Sequence, residues 1–315
     1  MTDSGQVLEH RAPESHPGDG DAKSLPTSER RALDRLATAY IPGSLRFAPE
    51  ESPFTTLFAD ITHRCNMACR NCYIPVRDLP DLPVDWLFDL LARLPRRTRI
   101  RLVGAEPTMR EDLPEIIATV RGLGHTPILL SNGLKLGRLR YVQALKRAGL
   151  RTVHLSLNGG LRDELYVAID DLACAARKLK ALNNLLSERM YVTAGMILVP
   201  GVNDGHLPEF LDYLLERGVI DIHLRSVGAI GNHLEGKPFD LDGLESCLRG
   251  ALNGRAADLK LTARGESWRD FKLSNTVIIQ LTQWPDFGSL ERGRITPDGF
   301  VEPFFESITA NEHRY

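Results

Sequence analysis

Residues 57–73, LFADITHRCNMACRNCY, join an apolar run of strand length to a loop with three cysteines in eight positions. The run LFADIT has the length and β-branched content of a buried strand, so Cys65, Cys69 and Cys72 leave its end together. Thiolates are soft ligands suited to zinc, copper(I) or iron–sulfur clusters. A structural zinc site closes on four ligands, commonly as two short-spaced pairs, and only one such pair is present. Cys174 and Cys247 stand alone in helical patterns, where a small buried hydrophobe is the ordinary role. His63, two residues before Cys65, is awkwardly placed as a fourth ligand. The residues themselves leave two readings: a cluster with one corner open, or a metal site used only for structure or sensing.

Outward from this loop, apolar runs of strand length alternate with helical periodicity. RIRLVG, TPILLSN, RTVHLSL, YVTAGMILVP and IDIHLRSV follow the first strand. Between the fourth and fifth of the six strands, Leu165, Ile169, Leu172, Ala176, Leu179 and Leu182 trace one helical stripe. Gly124, Gly149 and Gly218 read as left-handed caps that close helices before the next strand. Consecutive βα units with short connections make a parallel sheet, because each crossover is right-handed. Six such units predict an α/β fold, a partial (β/α)6 TIM barrel, since eight are needed to close one. Past about residue 228 the alternation stops. A helix at LDGLESCLRGALNG, a strand-like NTVIIQLTQW and a hairpin at RITPDGFVEPFF predict a small C-terminal α+β extension.

The expected organisation is a disordered leader over residues 1–28, a helical lead-in over 29–54, the barrel core over 55–230 and an extension over 231–315 that caps the barrel. The leader follows from its Pro, Gly, Ser and acidic content with few aliphatic residues. A formal charge of -2 and 43% hydrophobic residues give no global sign of a nucleic-acid or membrane-surface partner. No signal peptide or ~20-residue apolar span is visible. Five cysteines, three of them crowded, fit a reducing, cytoplasmic setting better than a disulfide framework.

CxxxCxxC after a first strand, with Tyr73 beside the last cysteine, resembles the radical S-adenosylmethionine (radical SAM) superfamily. The family's aromatic usually precedes the last cysteine, where Asn71 stands here. VGAEPTMR at 103–110 resembles the family's GGEP motif, with Gly104, Ala105 and Glu106 at the matching positions. SNG at 131–133 and SLNG at 156–159 resemble the third and fourth strand ends, and Asn158 stands where an Asp is common. GMILVPGVND and HLRSV resemble the fifth and sixth strand ends. The resemblance covers roughly residues 55–230. It implies a [4Fe-4S] cluster on Cys65, Cys69 and Cys72, with SAM as a second cofactor chelating the open iron. It further implies SAM contacts from Gly104, Ala105, Glu106, Ser131, Asn132, Ser156, Asn158, Val199, Gly201 and Arg225. The expected activity is reductive cleavage of SAM to a 5'-deoxyadenosyl radical that abstracts hydrogen, with the electron from a flavodoxin or ferredoxin type donor.

PDGFVEPFF resembles the hairpin that opens an auxiliary-cluster (SPASM or twitch) domain, but Phe304 occupies the cysteine's place and no cysteine follows. An auxiliary cluster is therefore not expected, which favours redox-neutral chemistry or an externally supplied electron. Strand alternation points His154, Ser156, Asp221, His223 and Arg225 inward, with Asp60 and Arg101 beside them. Trp268, Gln280, Gln283 and Trp284 are further candidates from the extension. This His and Arg content predicts a small anionic or sugar-like natural-product intermediate as substrate. The alternatives are a ribosomal peptide delivered by a partner protein, or a structural or sensing iron–sulfur or zinc protein.

Overall fold

The computed structural model describes residues 25–38, 43, 45–70, 72, 74, 76–227, 238–283 and 291–304. Tyr73, Asn71, Trp284 and all but the last four residues of the expected leader lie outside them.

Helix α1 (Thr27–Thr38) precedes six βα units: β1 (Thr56–Thr62) and α2 (Val84–Ala92); β2 (Arg99–Gly104) and α3 (Leu113–Gly122); β3 (Thr126–Ser131) and α4 (Leu139–Arg147). Next come β4 (Thr152–Ser156) with α5 (Asp163–Asp170) and α6 (Ala175–Ser187), β5 (Tyr191–Leu198) with α7 (Leu207–Glu216), and β6 (Asp221–Ser226) with α8 (Leu241–Leu252). The extension adds a meander of β7 (Leu259–Arg264), β8 (Trp268–Leu273) and β9 (Val277–Thr282), then a hairpin of β10 (Arg292–Ile295) and β11 (Val301–Pro303).

All strands belong to one open sheet, ordered β11-β10-β1-β2-β3-β4-β5-β6-β9-β8-β7. β1 to β6 are parallel neighbours, as the five crossovers between them require. The extension enlarges this sheet at both sides: β9 pairs parallel with β6, and β10 pairs parallel with β1. The ends do not meet, and the sheet is a partial barrel. β7 and β8 escape the apolar-run reading because LKLTAR and WRDFKL are rich in charge, and β7 exposes five of its six residues.

The strands alternate more sharply than a parallel sheet usually does. Leu57, Ala59 and Ile61 of β1, Ile100 and Leu102 of β2, and Ala194, Met196 and Leu198 of β5 are buried in the main core with Leu87, Leu91, Ile117 and Val120 of the helices. The opposite, inward set is largely polar. In register there lie Phe58 with Arg101, His154 with Thr193, Gly195 with His223, and Arg225 with Thr282.

Gly124, Gly149 and Gly218 take φ of 89°, 107° and 72°, as left-handed caps should. The helical stripe drawn from Leu165 to Leu182 is, however, two helices. Asp171 takes φ 56° and ψ 29° and ends α5, so the period restarts at Ala175. As a result Ala176 is exposed and Lys178 is buried.

Candidate functional site

The three cysteines lie on the loop that leaves β1, each partly buried. Backbone N–H groups already point at two of the sulfurs: Met67 donates to Cys65 Sγ and Ile74 to Cys72 Sγ, both at 3.4 Å. Arg77 donates to Cys72 Sγ at 2.9 Å. Cys65 and Cys69 pack against Met67, Leu134, Tyr166, Cys174 and Ala175. Burial, the largest cause, pushes both thiols above the ordinary range when they are free, so binding a metal must displace their protons. Among the described residues, no three His, Cys, Asp or Glu side chains converge where a single metal ion would sit. Three soft sulfurs on one partly buried loop, two of them facing N–H donors, are a donor set that suits an iron–sulfur cluster. The residues present fit such a group.

At the end of β2, Gly104 adopts φ 126°, and a Cβ there would lie 2.2 Å from the carbonyl oxygen of Thr62. Only glycine fits, because the obstacle is backbone. The next carboxylate, Glu106, is fully buried and entirely engaged by its own chain. Its Oε1 accepts from Thr108 N–H at 3.1 Å, Thr108 Oγ1 at 2.6 Å and Ser131 Oγ at 2.8 Å, while Oε2 accepts from Asn132 N–H at 2.7 Å. Glu106 thus fastens the end of β2 to the end of β3. A ligand approaching this turn meets the backbone of Gly104 and Ala105, not a free carboxylate. Asn132 in turn donates from Nδ2 to Asn66 Oδ1 at 2.8 Å and lies 3.9 Å from Cys65 Sγ, which ties the thiol loop to β3.

The ends of β4 and β5 are fastened in the same way by amides. Asn158 Oδ1 accepts from Ile197 N–H at 3.1 Å, and its Nδ2 donates to Asp170 Oδ1 at 3.0 Å. Asn203 Nδ2 donates to the carbonyls of Asn158 and Ile197, and its Oδ1 accepts from Val199 N–H. Asp170 is paired with Lys178 at 3.1 Å, both 1% exposed, and Lys178 also donates to the Ser156 carbonyl. The sequence reading missed this pair. Its signal was a lysine at a core-facing position of α6, in step with Ala175, Ala181 and Leu185.

The remaining predicted residues gather at the same end of the sheet. Ser156 is half-buried, and its hydroxyl has no hydrogen-bond partner among the described residues. Val199 is buried. Gly201, at φ 72°, is exposed with open space around its α-carbon. Arg225 is half-buried on the inward face of β6.

Further down the interior the charges change character. The rings of His154 and His223 meet edge to face at 5.4 Å, and His223 Nε2 lies 2.8 Å from Thr282 Oγ1. His154 Nε2 is buried without a partner. Burial, then the Arg225 cation, holds both imidazoles well below their ordinary pKa; Arg101 and Arg292 push the same way. Arg101 itself is pushed down to about 10, by burial first and then by Arg292 and Arg225. Its Nε has no partner, and its guanidinium lies 5.2 Å from the centre of the Phe58 ring. Asp60 is already taken by Arg294, at 2.6 Å. Asp221 accepts from Thr193 at 2.9 Å, and burial raises its pKa. Gln280 donates to Asp270, and Gln283 accepts from the backbone of Leu241, so these two serve the extension itself. Phe304 stacks on Phe58 at 3.8 Å, filling with an aromatic ring the place where a cluster-bearing hairpin would have its cysteine.

Residues 60–214 match the radical SAM superfamily. Among curated proteins, the chain is 30% identical over 177 residues to the 7,8-dihydro-6-hydroxymethylpterin dimethyltransferase of Methanocaldococcus jannaschii, covering 51% of this chain and 34% of that protein. It is 29% identical over 270 residues to the GTP 3',8-cyclase of Streptomyces coelicolor, covering 78% and 76%. The chain spans from a third to about half the length of the curated relatives it matches first. Its fold is similar to that of Streptococcus suis SuiB bound to S-adenosylmethionine, with TM-score 0.62 at 14% identity over 80% of this chain and 60% of that one. With the cysteine loop at the end of β1, the open parallel sheet and this match across the βα units, the chain belongs to the radical SAM superfamily.

Proposed function

We propose that this protein is a radical SAM enzyme acting on a small anionic substrate held inside the partial barrel. Cys65, Cys69 and Cys72 would hold a [4Fe-4S] cluster. SAM would lie over the strand ends, against the backbone of Gly104 and Ala105 and within reach of Ser156, Val199, Gly201 and Arg225. Glu106, Ser131, Asn132 and Asn158 bond mainly to the chain itself, so their role is to set the spacing of those strand ends. When bound, the cofactors would supply one chemistry: one-electron reductive cleavage of SAM to methionine and a 5'-deoxyadenosyl radical, with the electron from an external low-potential protein. The chain's own work is to position the substrate and exclude water, with the Phe58–Phe304 stack closing part of the sheet's inner face.

The observation that carries the substrate class is the interior charge. Arg292 and Arg225 lie close enough to Arg101 to push its pKa down beyond the effect of burial, against the opposing charge of Asp221, and Arg101 Nε is buried without a partner. A buried guanidinium with a donor to spare favours an acceptor in the interior, and guanidinium forks suit phosphate or carboxylate. The GTP 3',8-cyclases are, by name, enzymes of a nucleoside triphosphate, and a phosphorylated small molecule of that general kind matches the arginines here.

Anaerobic reconstitution followed by SAM and dithionite tests the reaction: 5'-deoxyadenosine is expected, and its absence with an intact cluster overturns the proposal. For the substrate, phosphorylated and carboxylated small molecules should raise 5'-deoxyadenosine formation, and Arg101→Gln should raise the concentration needed at least tenfold. Stimulation by a precursor peptide alone would favour a peptide substrate instead.

A further inference from the structure

Two partly or wholly buried arginines flank the thiol loop, and the chain treats them differently. Arg110 donates to the carbonyls of Ile61 and Leu82 at 2.8 and 2.7 Å and pairs with Asp112. Its charge is answered within the protein. Arg77 is half-buried, its NH1 is buried without a partner, and no carboxylate pairs with it among the described residues. Its one hydrogen bond goes to Cys72 Sγ at 2.9 Å, close for nitrogen on sulfur. Among the described residues, the side-chain cation that hydrogen-bonds a sulfur of this loop is Arg77, on Cys72.

A guanidinium nitrogen cut off from water, with no carboxylate beside it among the described residues, favours an anion nearby. The anion it fits is the one these thiols would make: three thiolates on an oxidised cubane leave net negative charge, and reduction adds one more. A charged N–H···S bond stabilises the reduced state more than the oxidised one, because the interaction grows with the negative charge on sulfur. We propose that Arg77 is a positioning residue that raises the reduction potential of the cluster through Cys72, and so eases electron entry from the external donor. This rests on the cluster reading of the cysteines and not on the identity of the substrate.

The test is an EPR-monitored redox titration of anaerobically reconstituted full-length protein without SAM, with iron measured per chain. Arg77→Gln keeps a donor but loses the charge; with wild-type iron content, its midpoint should move negative. Arg77→Lys keeps the charge and should return the midpoint toward wild type. A fully loaded Arg77→Gln protein at the wild-type potential overturns the role, as does an Arg77→Lys protein shifted as far as Arg77→Gln. Should Arg77→Gln load no iron, the Arg77→Lys midpoint decides alone: near wild type supports the charge, a negative shift overturns it. Wild-type protein that binds no cluster would instead overturn the family-based reading of the site, and the role of Arg77 with it.

Discussion

The mouth of the partial barrel and its interior both hold buried polar groups, but they settle them differently. At the mouth, Glu106, Asn158, Asn203 and the Asp170–Lys178 pair bond almost entirely to their own chain. In the interior, His154 Nε2 and Arg101 Nε are buried without partners. A satisfied buried network fixes geometry; an unsatisfied one carries a penalty until something binds. The contrast separates residues that build the site from residues that await a ligand. Substitutions within the bonded network of Glu106, Asn158, Asn203 and the Asp170–Lys178 pair should therefore cost folding free energy, whereas substitutions in the interior should cost function.

The largest effect is expected at Glu106. Glu106→Leu removes the acceptor for four hydrogen bonds at once. Each buried donor left unpaired costs about 1–3 kcal/mol, although the two hydroxyls can turn elsewhere. A loss of several kcal/mol against a typical stability of about 5–15 kcal/mol should leave little folded protein. Urea denaturation followed by circular dichroism would measure it. A small change there would erase the distinction between mouth and interior.

Asp170→Asn comes next. It strands Lys178, whose side chain is 1% exposed, as an uncompensated buried cation, for which about 3–5 kcal/mol is the usual cost. Combining it with Lys178→Met should recover much of that loss, since the lysine then no longer needs a counter-charge. A double mutant no more stable than Asp170→Asn alone would mean that the Ser156 and Asn158 contacts, not the charge balance, matter most.

Acid should act on the interior more gently. His154 and His223 have folded pKa values well below 6.5, chiefly through burial. The unfolded chain therefore takes up protons first as pH falls. Stability is unaffected by these groups above about pH 6.5 and declines below it by about 1.4 kcal/mol per pH unit for each histidine, until the folded pKa is reached. Denaturant midpoints between pH 7 and pH 5 should show this slope, to which His63, also held low by burial, adds, and His154→Phe should remove one histidine's share of it. Binding of an anionic substrate, by offsetting the arginine field, should flatten it further.

Much of this was legible because strand ends and cysteine spacing are local. The CNMACRNCY loop, the glycine-capped helices and the six apolar runs each announce themselves within about ten residues, and local signals survive folding. The long-range partners were not legible. Nothing in VGAEPTMR says that Glu106 reaches Ser131 and Asn132 across 25 and 26 residues of chain. Lys178 was hidden by a continuous helical stripe that the left-handed Asp171 breaks. The place of β10 beside β1 links positions more than 230 residues apart, and only the sheet's open edge explains why the hairpin lies there.

The smallest expected effect tests the interior half of the contrast most directly. Gly195 stands opposite Ser156 in register, and a Cβ there would lie 2.7 Å from His154 Nε2 and 3.1 Å from its Cδ2. Its backbone does not require glycine; the imidazole does. Gly195→Ala must therefore turn the His154 ring, and since Nε2 has no partner to lose, the stability cost should stay within about 1 kcal/mol, near the cost of a strained rotamer. The effect should fall instead on the edge-to-face contact with His223 and on the space beside it. Thermal unfolding of Gly195→Ala should then nearly match wild type while the substrate concentration needed for half-maximal 5'-deoxyadenosine formation rises. A large drop in stability with unchanged substrate response would show that His154 is part of the architecture and not of the waiting interior.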